Sequence, residues 1–140
     1  MIVLGLSIQG HDKRSVSLIH QLELQSELVE YASSRLREEG LDIPVADFGH
    51  YEGPPEGVFP QNVVNLYVRA DLVFMEVRSR TTVVGTISVM IRRDNDTTWA
   101  KRPFTFFAVE TESEVAELAR KAAIEQFEIS IIEPIVSQAK

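Results

Sequence analysis

The sequence predicts an α/β domain of the Rossmann-like three-layer sandwich type, with a mainly parallel sheet, over residues 1–140. Three observations lead to this prediction. Residues 2–8 (IVLGLSI) form a nearly continuous apolar run, which is typical of a strand buried on both faces of a parallel sheet. Residues 15–39 contain neither glycine nor proline and predict a helix. Strand-like and helical segments then alternate, as they do where helices connect parallel strands.

The first half of the chain is predicted to contain three strands and two helices. The helix over residues 15–39 ends at Gly40, because glycine commonly terminates helices. Residues 41–48 predict a second strand. Residues 62–70 predict a short helix, because apolar side chains recur there at helical spacing, and residues 71–77 predict a third strand.

Residues 81–109 are compatible with two structures. Regular alternation of side chains favours an antiparallel hairpin, in which Phe104 would lie near Ile87. The alternative is a short helix over residues 84–93, with its larger aliphatic side chains on one face. The β-branched content of the segment favours the hairpin.

The end of the chain is predicted to form a helix and an edge strand. Thr111 and Glu114 have the spacing of a capping box, which marks the start of a helix. Residues 128–136 are apolar and predict a last strand, placed at the sheet edge because Pro134 cannot donate a ladder hydrogen bond.

Composition excludes several classes of function. The chain has no cysteine, so disulfides, thiol catalysis and cysteine-based metal sites are excluded. A net charge of −7 disfavours nucleic acid as a partner. No apolar run is long enough for a membrane helix, and residues 1–10 resemble a strand rather than a signal peptide. We therefore expect a cytoplasmic protein without a membrane partner, and no motif predicts a cofactor.

Polar residues follow each of the three predicted strands, in segments 9–14, 47–52 and 78–82. The carboxyl ends of parallel strands meet at one edge of a sheet, where such folds bind ligands. We expect the three segments to line one crevice there.

The candidate catalytic residues in this crevice are His11, Asp47, His50 and Glu76. Two histidines with carboxylates can act as an acid–base pair or hold a divalent metal. They can equally be solvated loop residues, and since no fixed ligand spacing is present, we predict no metal site. Glu76 either faces the crevice or pairs with an arginine.

The candidate ligand-binding residues are Gln9, Gly10, Arg78, Arg80 and Thr81. Guanidinium groups and a hydroxyl just after a strand suit a phosphate or a carboxylate. The sequence therefore predicts a small anionic ligand, with a solvated turn as the alternative.

Four segments carry a resemblance to a known family: Ser7-Ile8-Gln9-Gly10, the strand at residues 70–77, Gly85, and Lys101-Arg102-Pro103. They resemble the nucleoside 2-deoxyribosyltransferase-like family, which includes the 2'-deoxynucleoside 5'-phosphate N-hydrolases. The resemblance implies a pocket for a nucleoside 5'-phosphate, with Thr81 at the position of a phosphate-binding serine. The family's nucleophilic glutamate falls on Ile87, which cannot attack a sugar. We therefore expect binding without the family's glycosidic chemistry.

Three functions remain open from the sequence, and it leaves open whether the protein is an enzyme. The first is binding of a small nucleoside- or phosphate-bearing ligand. The second is a non-enzymatic assembly or regulatory subunit, in which Leu24, Leu28 and Tyr31 form a second apolar stripe that predicts a homo-oligomer. The third is another α/β enzyme that uses His11, Asp47 and His50.

Overall fold

The computed structural model describes residues 2–49, 54, 57, 59–60, 62–78, 80–93, 100–101, 105–111 and 116–139. Its strands are β1 (Ile2–Gly10), β2 (Val45–Asp47), β3 (Val64–Val77), β4 (Arg80–Arg92), β5 (Ala100–Lys101) and β6 (Thr105–Thr111). Its helices are α1 (Lys13–Gln21), α2 (Leu24–Glu38), α3 (Ala116–Phe127) and α4 (Glu133–Ala139), and a π-helical segment, Glu128–Ile132, joins α3 to α4. No helix in these ranges is both long and apolar enough to cross a membrane.

The strands form one mixed sheet in the order β2-β1-β3-β4-β5, and β6 also pairs with β4. β1 is parallel to both β2 and β3, as the sequence predicts. β3 and β4 are antiparallel, and every residue from Asn65 to Val77 pairs in register with β4. The sheet is therefore parallel on one side and antiparallel on the other.

The helices lie on one face of this sheet. Strand side chains alternate between the two faces, and those of Leu4, Leu6, Leu72 and Phe74 point toward the helices. One buried cluster joins them to side chains of α1, α2, α3 and the π-helical segment. The described residues thus form two layers, and the predicted three-layer sandwich is not seen. The reason is the β3–β4 hairpin, since an antiparallel connection needs no crossover helix for the second face.

The opposite face, which we call the open face, carries a smaller aromatic cluster. Phe48 and Phe59 lie with ring centroids 4.9 Å apart, and both pack near Tyr67. They approach the sheet over Gly5, where an added Cβ would lie 2.5 Å from the Phe48 ring. Glycine at this position therefore allows the two rings to reach the sheet.

The predicted helix over residues 15–39 is two helices. α1 begins after Asp12, whose carboxylate accepts a hydrogen bond of 2.7 Å from the Ser15 backbone N–H. The helix breaks at Glu23, which has a positive φ of 52°. Glutamate adopts this left-handed conformation only at an energetic cost. Because the position holds neither glycine nor proline, nothing in the sequence marks the break. The break lets α1 and α2 each turn an apolar side toward the sheet.

The predicted helix over residues 62–70 is wrong, because this segment is the first half of β3. The edge strand predicted at residues 128–136 is also wrong, since these residues form the π-helical segment and α4. In both segments the apolar side chains are close enough together to fit either a helical or a strand period. In the first segment, pairing with β1 and β4 selects the strand. In the second, helical structure is selected because it buries Ile131 and Ile132 between the helical layer and the sheet.

Residues 84–92 form a strand, which confirms the hairpin and excludes the alternative helix. The predicted register differs by one position, because Ile87 pairs with Thr105. Thr111 is the last residue of β6, and its predicted capping partner Glu114 lies outside the described residues.

The apolar stripe that was expected to meet a second chain is covered by the protein itself. Leu24 and Leu28 belong to the main core. The hydroxyl of Tyr31 donates a hydrogen bond of 3.0 Å to Glu128 of the π-helical segment. The prediction that these three residues form an oligomer interface is wrong, because the C-terminal helices cover them.

We expect Leu28→Ala to lower the free energy of unfolding by about 2–5 kcal/mol, because the side chain is only 2% exposed and its loss leaves a cavity. Ser34→Ala, at an exposed position of the same helix, is the control and should change it by less than about 0.5 kcal/mol. Urea unfolding measures both. An unchanged unfolding curve for Leu28→Ala would contradict its place in the core.

We expect Asp12 to make stability pH-dependent in the acid range. The backbone N–H and hydroxyl of Ser15 hold the pKa of Asp12 below its usual value. Its contribution is therefore complete above about pH 4 and is lost as the pH falls through the lower, folded-state pKa. Tm measured from about pH 5 to pH 2 should fall less steeply in Asp12→Asn than in the wild type. Asp42→Asn removes one exposed carboxylate and is the control; equal slopes in all three proteins would exclude this role.

Candidate functional site

The predicted crevice lies at the edge where β1, β2 and β3 end, but β3 runs far beyond β1. Gly10, the last residue of β1, pairs with Leu72, and Arg78 follows six residues later. At about 3.3 Å per residue this places Arg78 roughly 20 Å from the end of β1. A single phosphate group cannot contact both Arg78 and His11. The structure thus separates the arginine turn from the histidine of the predicted crevice.

Asp47 takes part in a hydrogen-bond network at the edge of β1. Its carboxylate accepts from Gln25 Nε2 at 2.8 Å and from the Gly49 backbone N–H at 3.0 Å. The Gln25 carboxamide also accepts from the Ile8 N–H at 2.9 Å and donates to the Leu6 carbonyl at 3.0 Å. The backbone of Phe48 and Gly49 bonds to the same groups of Leu6 and Ile8, so Gln25 adds a side-chain contact that ties α2 to β1, and Asp47 holds its carboxamide in place.

Of the other candidate catalytic residues, the structure describes His11, which follows β1, and Glu76, which lies on β3. His11 is exposed, and its backbone N–H donates to the Leu72 carbonyl. Glu76 forms an exposed ion pair of 3.2 Å with Arg14 of α1, which is the arginine pairing that the sequence left open. His50 lies outside the described residues. Within the described residues, no group of three or more histidine, aspartate or glutamate side chains could hold a metal ion.

The candidate ligand-binding residues fall into two groups. Gln9 and Gly10 are at the end of β1, where an added Cβ on Gly10 would lie 2.5 Å from the Val16 nitrogen. Gly10 therefore allows α1 to pack closely on β1. Arg78 is exposed at the hairpin turn and Thr81 is partly buried on β4, whereas the side chain of Arg80 lies outside the described residues. The anion site that these residues predict stays a prediction.

A polar network on the open face was missed by the sequence reasoning. Arg69 donates to Gln9 Oε1 at 2.8 Å and to Asp71 Oδ1 at 3.2 and 3.3 Å. These residues lie on one face of adjacent strands, because Gln9 pairs with Asp71 in the sheet. The signal was present in residues 65–72, where apolar side chains alternate with polar or aromatic ones. Assigning residues 62–70 to a helix concealed it.

Apolar side chains continue the open face beyond this network, toward the hairpin turn. Val73 pairs with Val84, and Met75 pairs with Thr82, so these four side chains share the face. Met75 is 41% exposed. None of the described helices packs against this part of the sheet, because their core contacts are all on the other face.

A second polar cluster joins the helices on the covered side. Glu128 accepts hydrogen bonds from the hydroxyl of Tyr31 and the guanidinium of Arg35, and Arg35 also pairs with Glu39 at 3.2 Å. Burial and the Glu128 carboxylate raise the pKa of the Tyr31 hydroxyl. Glu128 and Glu39 raise the pKa of Arg35, which stays charged. The cluster ties α2 to the π-helical segment.

No family model and no curated protein matches this chain. Solved structures do match. A neuraminyllactose-binding hemagglutinin homolog from Helicobacter pylori is 13% identical, with a TM-score of 0.56 over 99% of this chain and 82% of that one. A hypothetical protein from Chlamydia trachomatis is 11% identical, with a TM-score of 0.50 over 98% of both chains. A minor lipoprotein from Acinetobacter baumannii is 14% identical, with a TM-score of 0.48 over 96% of this chain and 92% of that one.

These comparisons correct the family that the sequence suggested. Neither of the first two structures carries the name of a nucleoside deoxyribosyltransferase, and at such low identity the likeness extends to the fold alone. Ile87, at the position expected for the family's nucleophile, is 3% exposed and lies in the core of the antiparallel hairpin. The resemblance to the nucleoside 2-deoxyribosyltransferase-like family is therefore wrong, and the chain shares its fold with the first two structures.

Proposed function

We propose that this protein is a non-enzymatic assembly subunit that binds a second copy of itself through the open face of its sheet. The observation that carries the proposal is the group of apolar side chains beside the hairpin turn, with Met75 as its most exposed member. Sheets normally bury one apolar face and solvate the other. A second face with Val73, Met75 and Val84 in a row is instead typical of a contact surface.

The dispersed catalytic candidates favour this function over an enzyme. Asp47 supports the edge of β1, Glu76 pairs with Arg14, and Asp12 caps α1. Each of these three carboxylates has a partner within the fold, whereas a general acid or base needs a carboxylate that can reach the substrate.

The charge of the open face favours a second copy as the partner. The whole chain has a net charge of −7, so most surfaces of two copies repel each other. On the open face, the charged side chains of the described residues in β1 and β3 are Arg69 and Asp71, which neutralise each other. The neighbouring positions on β4 are Thr82, Val84, Thr86 and Ser88. Arg92, at the far end of β4, is buried and donates to the Phe59 carbonyl. Among the described side chains, two copies that meet near Met75 therefore bring no exposed unpaired charge together.

The size of the face is close to what one side of a dimer interface uses. Strands β1, β3, β4 and β6 average about ten residues and lie about 4.8 Å apart, so their projected area is roughly 19 by 33 Å, or about 630 Å². A specific interface uses about 800 Å² of accessible surface from each partner. A two-fold contact would place Met75 of one copy against the same face of the other.

We expect light scattering at tens of micromolar to show a dimer or larger species for the wild type and a monomer for Met75→Lys, because the lysine charge would be buried without a partner. Ile129→Lys is the matched control: its side chain is 51% exposed, but it lies on the π-helical segment and should leave the mass unchanged. A monomeric wild type, or equal effects of the two variants, would exclude the open face as the interface.

The binding of a small nucleoside- or phosphate-bearing ligand is a separate proposal with less support, since the residues that predicted it are far apart. A thermal-shift screen with phosphate and sugar phosphates distinguishes the two. An anion held at the turn raises Tm in the wild type but not in Arg78→Ala. Neither result depends on the mass measured for Met75→Lys.

A further inference from the structure

An apolar groove lies beneath α4 on the helix-covered face, at the end of the sheet where β1 and β3 begin. Its volume is about 630 Å³, within the range of roughly 300–1,000 Å³ that is typical of small-molecule sites. The floor is formed by aliphatic side chains of three adjacent strands, and the π-helical segment and α4 form the roof. The lining includes Ile2, Val64, Leu66, Ile91, Ile131 and Ile135.

The groove exists because the helical layer covers this end of the sheet incompletely. Leu4 and Leu6 of β1 are fully buried beneath the helices, whereas Ile2 on the same face is partly exposed. On β3, Val68 is buried and Leu66 is partly exposed. Aliphatic side chains that face an accessible groove are stabilised when an apolar ligand displaces water from it.

Among the described residues that line the groove, the charged side chain is that of Arg93. Arg93 is exposed at the end of β4, and Ser130 and Gln138 are neutral hydrogen-bonding residues. No acidic side chain is among the described residues that line the groove. One guanidinium beside an aliphatic channel suits a ligand with a single negative charge at one end and a hydrocarbon chain at the other.

We propose that this groove binds a single-chain fatty carboxylate, with the acyl chain between α4 and the sheet and the carboxylate at Arg93. Arginine pairs with carboxylates through two parallel N–H donors, which fixes the end of the ligand. Ser130 and Gln138 line the same groove and can donate hydrogen bonds to the carboxylate. The proposal is independent of self-association, because the groove and the open face are on opposite sides of the sheet.

Calorimetry with octanoate, decanoate and dodecanoate, each below its micelle concentration, tests the acyl-chain contact. Each buried methylene should tighten binding about fourfold, so dodecanoate should bind roughly 15-fold more tightly than decanoate. Decanol, which has the same chain without the charge, tests the head-group contact. Arg93→Gln should weaken decanoate binding about tenfold and leave decanol unchanged.

Two further variants keep the test specific. Arg37→Gln also removes an exposed arginine, but from α2 outside the groove, and should bind decanoate as the wild type does. Ile135→Trp fills the groove with an apolar side chain and should abolish binding of all three carboxylates, while a retained Tm shows that the protein is folded.

Several results would overturn the proposal. One is that none of the three carboxylates binds, and another is that affinity does not rise with chain length. The others are that Arg93→Gln and Arg37→Gln weaken decanoate binding equally, or that folded Ile135→Trp binds with full affinity. A groove occupied by a second copy of the protein would give the first of these results together with a lower mass for Ile135→Trp in light scattering. Because Ile135 and Met75 lie on opposite sides of the sheet, the variant that lowers the mass identifies which surface forms the interface.

Discussion

The continuous antiparallel pairing of β3 with β4 is the interaction on which the rest of the structure depends. It aligns every residue from Asn65 to Val77 with a partner and carries the hairpin well beyond the end of β1. Because the hairpin returns directly along the sheet, no helix crosses to the second face at this point. The same pairing therefore produces the mixed sheet and the two-layer architecture, and it leaves apolar side chains near Met75 that none of the described helices covers.

The helical layer is held to this sheet by apolar burial together with a small number of polar contacts. Glu128 joins Tyr31 and Arg35 of α2 to the π-helical segment. The wide turn of that segment places the consecutive residues Ile131 and Ile132 in the core. A charged group that is largely removed from water must be paired, and this requirement fixes where α2 and the C-terminal helices meet. The layer stops short of one end of the sheet and leaves the groove beneath α4.

The two faces of the sheet differ in what they can bind. Near Met75, the described side chains of the open face are apolar or neutral beside the Arg69–Asp71 pair, which suits a flat contact with a similar surface. The groove on the covered face is concave, aliphatic and open at a cationic rim, which suits a small amphiphile. The proposed assembly surface and the proposed ligand groove therefore lie on opposite sides of the sheet. The shared fold with a hemagglutinin homolog is compatible with either role and decides neither.

The sequence by itself determined those features that depend only on residues close together in the chain. The apolar run of β1 predicted a buried strand between parallel neighbours, and Gly40 marked a helix end, because side-chain chemistry and glycine geometry act within a few residues. The edge at which β1 and β3 end was predictable for the same reason, but the extra length of β3 was not. The segment at residues 62–70 fits both a helix and a strand, and only its pairing with β1 and β4 selects the strand. The partners of Asp47 and Glu76 come from distant parts of the chain, so tertiary structure alone decided that these carboxylates support the fold rather than meet in one site.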